Sequence, residues 1–148
     1  MKDKALRPWL AVIAGGASLV SHAGARLLVE TARRSGLAKE LSSRLGHWRR
    51  PLAVHDPGKI VLDLAVAVAL GGDAAADVAV LRAQPGVFGR VASDPTVSRL
   101  ITMLAGDVDA VLAAVTAARA SAPERLWQLV GAPAQGRSKL LAAVPLAW

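Results

Sequence analysis

The chain has 148 residues and no cysteine, which excludes disulfides and thiolate metal sites. Four Trp, one Phe and no Tyr leave the core to Leu, Val, Ile and Ala, a bias toward helices. All of the net charge of +7 falls in the first 60 residues, which hold 11 Lys/Arg against 4 Asp/Glu, whereas residues 61–148 hold 7 of each.

Clustered arginines match phosphate oxygens and attract a polyanion over a distance. A solvated basic face would have the same composition. The apolar run 9–20 follows Lys2, Lys4 and Arg7 and precedes Ser21-His22-Ala23, an order that imitates a signal peptide. Pro8, Gly15-Gly16 and Ser18 interrupt it. Neither this run nor the run 60–70, which contains Asp63, reaches the roughly 18–20 apolar residues that span a bilayer, so no membrane partner is expected. Val12-Ile13, Gly15-Gly16 and Leu19-Val20 read as a short β-hairpin, although an apolar helix fits the same run.

Residues 24–34 are amphipathic, with Ala25, Leu28, Val29 and Ala32 on one face and Arg26, Glu30 and Arg33 on the other. Ser35-Gly36 stops this helix. Leu37, Leu41 and Leu45 restart the apolar stripe, with Lys39, Glu40, Ser43 and Arg44 outward. Residues 24–45 are therefore two short helices joined by a tight turn, a helix-turn-helix-like pair. A basic loop follows at 46–54. Asp56 and Pro57 then cap and open a helix that is apolar almost all round and so central. Gly71-Gly72 ends it. Asp73 is expected to cap a helix running to about Ala83, and Gln84-Pro85-Gly86 to break the chain. Ser93-Asp94-Pro95 opens a helix that buries Val97, Leu100, Ile101 and Leu104, with Thr96, Arg99 and Met103 on a different face. Asp107 opens another, with Val108, Val111, Leu112 and Val115 inward. Ser121 and Glu124 have capping-box spacing around Pro123 and predict a last helix ending at Gly131-Ala132-Pro133. The fold class is mainly α, a multi-helix domain.

No dinucleotide fingerprint, P-loop or HExxH motif is present. His22, His47 and His55, placed in loops or near turns, lack ligand spacing, and no acidic residue follows Glu124. No catalytic or metal-binding residue is assigned. The nucleic-acid signals are better. Lys39, Ser43 and Arg44 suit a recognition helix, and Arg33, Arg34, Arg49 and Arg50 suit flanking phosphates. In the segment 93–99, a helix start offers N–H groups to a phosphate, with Thr96, Ser98 and Arg99 beside them. An ordinary helical hairpin and an ordinary capped helix remain alternatives.

The runs LVSHAGARLLVETARRSGL at 19–37, GGDAAADVAVLRAQPGVFG at 71–89 and ASDPTVSRLI at 92–101 resemble transposases of the insertion-sequence thirteen-eighty group, in the DDE superfamily. The resemblance covers roughly residues 10–133. It implies an N-terminal helical region, residues 1–133, that recognises terminal inverted repeats of double-stranded DNA. It also implies a ribonuclease-H-like domain beyond, whose three carboxylates hold magnesium for strand cleavage and transfer. The strand bearing the first of those carboxylates, a D-x-D pattern, is missing after Gly131-Ala132-Pro133. The tail 134–148 diverges, reads as a truncated or frameshifted end, and is expected to be disordered. The expectation is a transposase fragment at the nucleoid in the cytoplasm, without cofactor or catalysis of its own, pairing with DNA and with itself or a full-length copy. Half of a split active transposase, a small non-DNA-binding helical protein and a decayed gene product are the alternatives.

Overall fold

The computed structural model describes residues 20–130. The divergent tail, and the expected hairpin except for Val20, lie outside them. Among the described residues there are seven α-helices and no strand: α1 (Val20–Arg34), α2 (Leu37–Arg44), α3 (Pro57–Ala69), α4 (Val78–Arg82), α5 (Pro85–Phe88), α6 (Asp94–Ala105) and α7 (Val108–Val130). Short 3-10 turns occupy Gly46–Trp48 and Ala75–Asp77. The signal-like triplet Ser21-His22-Ala23 is inside α1, which also takes His22 out of the loop expected for it.

The turn between α1 and α2 is built by Ser35 and Gly36. The buried Ser35 hydroxyl donates to the Ala32 carbonyl at 3.3 Å and accepts from the Leu37 N–H at 3.4 Å, tying the two helices together. Gly36 has φ 78°, a left-handed conformation that a side chain would strain. The α3 start forms as its residues dictate. Asp56 is extended and accepts from the Lys59 N–H at 2.8 Å, with Pro57 in the first turn. The same carboxylate oxygen accepts from the Ser42 hydroxyl at 2.6 Å, so the cap of α3 is also a clamp on α2.

The main core gathers Ala25, Val29 and Ala32 of α1, Leu41 and Leu45, Leu62, Val66 and Ala67 of α3, Val78, Leu81, Phe88, and Ala118 of α7. A second cluster joins Ile60 of α3 to Ala92, Val97 and Leu100 at α6. α3 runs between the two, which is why it is apolar on most sides. Its one buried charge, Asp63, is paired with Lys59 one turn earlier.

Several local expectations are corrected. Asp73 does not cap a helix. The Asp77 carboxylate accepts from the N–H groups of Asp73 and Ala74, both at 2.9 Å, and α4 begins only at Val78. Pro85 opens the single-turn helix α5, its fixed φ suiting the first turn. α7 runs unbroken through Pro123. Ser121 acts inside it, donating to the Ala117 carbonyl at 2.9 Å, so residues 121–124 cap nothing. Leu28, Ile101, Val108 and Leu112 are exposed, because the faces their helices bury are narrower than the apolar stripes. Met103 instead packs beside Leu104 on the second cluster. No single helix among the described residues is long and apolar enough to cross a membrane.

Candidate nucleic-acid interface

The ten cationic and hydroxyl residues singled out from sequence fall into two places. Arg33 and Arg34 end α1, while Lys39, Ser43 and Arg44 lie on the exposed side of α2. The rest of α2 is held, since it packs on α3 and α7 as well as α1. Arg34 is engaged by Glu30 at 2.6 Å and Arg44 by Glu40 at 3.2 Å, both one-turn pairs at the surface. The Glu30 carboxyl is held below its usual range, chiefly by the hydrogen bond from Arg34. Exposed pairs of this kind are weakened by solvent and salt, so they leave the guanidinium groups open to other anions. Arg33 and Lys39 have no carboxylate partner among the described residues.

The second place is an open groove of about 870 Å³ between the loop after Trp48 and the outer side of α6. It brings together Arg49 and Arg50 with Thr96, Ser98 and Arg99, which are nearly fifty residues away in sequence. Pro57, Ile60, Leu100 and Met103 also line it, so cationic groups stand over an apolar surface. Arg49, Arg50 and Arg99 have no carboxylate partner among the described residues. Thr96 links Ser93, 3.0 Å from its hydroxyl, to Arg99, which donates to it at 3.4 Å.

The α6 start differs from a bare anion site. The Ser93 carbonyl already accepts from the N–H groups of Thr96 and Val97, at 2.8 and 2.9 Å. Asp94 puts a carboxylate in the first turn, and Arg82 holds it at 2.6 Å while also donating to the Ala92 carbonyl at 2.8 Å. What this segment offers an anion is therefore the Arg99 guanidinium and the hydroxyls along the groove.

Sequence reasoning missed three residues of this wall. Trp48 is half-buried against the main core and stands edge-to-face with His47 at 5.3 Å. Its place in a basic loop was the available signal. His55 lines the groove too. Leu52 is the third and the most unusual. It is fully exposed and has φ 61°, among the described residues the one non-glycine with a positive φ. That conformation costs a residue with a side chain about 1–2 kcal/mol.

The family resemblance implies magnesium carboxylates, and four of the carboxylates described are already committed elsewhere. Asp56 and Asp77 cap backbone N–H groups, Asp63 is paired with Lys59, and Asp94 with Arg82. No group of three or more His, Cys, Asp or Glu is placed to hold an ion among the described residues.

A profile of the family described as "Transposase DDE domain group 1" matches residues 4–128. No curated protein and no solved structure matches the chain. With most of its length covered by that match, the chain belongs to the transposase DDE domain group 1 family.

Proposed function

We propose that residues 20–130 are a DNA-binding module of a transposase of the insertion-sequence thirteen-eighty group, recognising the terminal inverted repeats of its element at the nucleoid. The observation that carries this reading is the groove lined by Arg49, Arg50 and Arg99, none of which has a carboxylate partner among the described residues, in a chain of a transposase family. Lys39 and Ser43 on α2 add a polar stripe suited to base edges, and Arg33 and Arg34 add phosphate contacts. Catalytic carboxylates and their magnesium belong, in this reading, to a ribonuclease-H-like domain that residues 20–130 do not form. A full-length transposase or a second copy of the chain is the protein partner.

The test is duplex binding by the full chain across a salt series. Three to six phosphate contacts predict a log–log slope of roughly −3 to −5. Replacing Arg33, Arg34, Arg49 and Arg50 by Ala flattens it. A salt-independent affinity, or an unchanged slope in the quadruple variant, overturns the assignment. Selection from a random-sequence duplex pool then shows whether inverted-repeat sequence is preferred.

A further inference from the structure

The tip of the basic loop is built against the ordinary preferences of its residues. The Ala53 N–H donates to the Arg50 carbonyl at 3.1 Å, closing a tight turn with Pro51 and Leu52 at its corners. The corner with positive φ is the position where glycine normally sits. Here it holds a leucine that is fully exposed at the edge of the groove it helps to line. The tip is also braced, because the Arg49 guanidinium reaches across it to the Ala53 carbonyl at 3.1 Å. Pro51 restricts it further. The result is a stiff apolar point, flanked by Arg49 and Arg50, at the mouth of a groove whose far wall carries Arg99. Burial gives no reason for this leucine, and the backbone opposes it. A strained residue kept at a protruding point is the kind of outlier that points to function.

We infer that Leu52 is a wedge that enters the minor groove of duplex DNA and partly unstacks a base step, while Arg50 and Arg99 hold phosphates on either side. This rests on the DNA-binding reading proposed above and adds to it a point of insertion. The charge around the tip selects the partner, since an apolar side chain between arginines matches a stacked, polyanionic duplex. Small apolar wedges beside cationic groups kink DNA in this way and open a base step to do so. Leucine suits the task better than glycine because it has a side chain to insert, which outweighs its backbone strain once DNA is bound.

The experiment uses the full chain and the duplex it selects from a random-sequence pool, with aminopurine placed at each position in turn. Aminopurine brightens when its base unstacks. The wild-type chain is expected to raise the fluorescence severalfold at one or two adjacent positions and to bring dyes on the duplex ends closer together. Leu52→Gly and Leu52→Asn both tolerate the left-handed turn, so both fold. They are expected to bind with the wild-type salt slope but with no rise in fluorescence and no approach of the ends. Arg50→Ala is expected to reduce the slope by about 1 and to keep a fluorescence rise once binding is saturated. Duplex binding without unstacking by the wild type overturns the wedge and leaves the DNA-binding reading standing. No duplex binding at low salt overturns both. Leu52-dependent binding to phosphatidylserine vesicles, with no unstacking of DNA, assigns the tip to a lipid surface and overturns the inference.

Discussion

A β-carbon built on Gly58 would lie 2.3 Å from the backbone nitrogen of Ser42, so α3 approaches α2 more closely than any side chain at this position allows. The obstructing atoms are backbone, including the Leu41 carbonyl carbon at 2.4 Å, and cannot swing aside. Gly58→Ala is expected to cost about 3 kcal/mol or more, at or beyond the upper end for overpacked cores. Urea melts check this, and a change under about 1 kcal/mol would show that the two helices can separate freely.

Ser42 and Asp56 secure the same junction from the side. Asp56→Ala removes both the α3 cap and the acceptor for Ser42, and is expected to cost about 1–2 kcal/mol. Ser42→Ala should cost about 0.5–1.5 kcal/mol. In a double-mutant cycle the two losses should fall short of additive, because one oxygen serves both donors. Full additivity would mean that the Ser42 contact contributes nothing.

Burial pushes the Asp63 carboxyl above its usual value, while the Lys59 hydrogen bond and charge, and the charge of His55, pull it down. A raised carboxyl binds its proton more tightly in the folded state than in the unfolded one. Its stabilising contribution is therefore present below the ordinary carboxylate value and lost as pH rises through the folded one. Relative to Asp63→Asn, the wild type should lose stability as the pH is raised from acid toward neutral. Melts of both proteins across that range test it. The opposite trend would show that pairing with Lys59 outweighs burial.

Duplex binding should survive chelation of divalent ions, since no group of three or more His, Cys, Asp or Glu among the described residues is placed to hold one. The full chain should not cut element ends with magnesium or manganese. Metal-dependent cleavage at a defined site would contradict the assignment of binding alone to these helices.

Features that depend on a few neighbouring residues were legible in the sequence. Asp56-Pro57 and Gly36 work as their residue types dictate, and α6 opens at Asp94 although the Ser93 side chain makes no cap hydrogen bond, because a helix start or a left-handed stop is decided within about one helical turn. Apolar stripes showed which residues share a face but not how much of it another helix covers, and Leu28 and Leu112 are exposed for that reason. Pro123 stands inside α7 on an exposed stretch of the helix, and nothing in its residue type tells a helix start from a helix interior. Gly58 was invisible, since its role exists only when α2 lies against it. The site divided in the same way. The loop arginines and the segment 93–99 each stood out, whereas their meeting depends on how α6 packs against Ile60 of α3. No residue type announces that Leu52 will have a positive φ.

The packing of α2 separates where the charge lies from where the fold lies. The first 60 residues carry the whole net charge, yet Leu41 and Leu45 are covered partly by α7, whose Ala118 stands more than seventy residues further along. An excised peptide of residues 20–56 would keep most of those arginines and lose the walls around its leucines. It would be a cationic random coil that binds any polyanion without discrimination. The electrostatics of this protein are portable, but its shape is not: folding must close that long loop before the arginines are presented in a fixed arrangement.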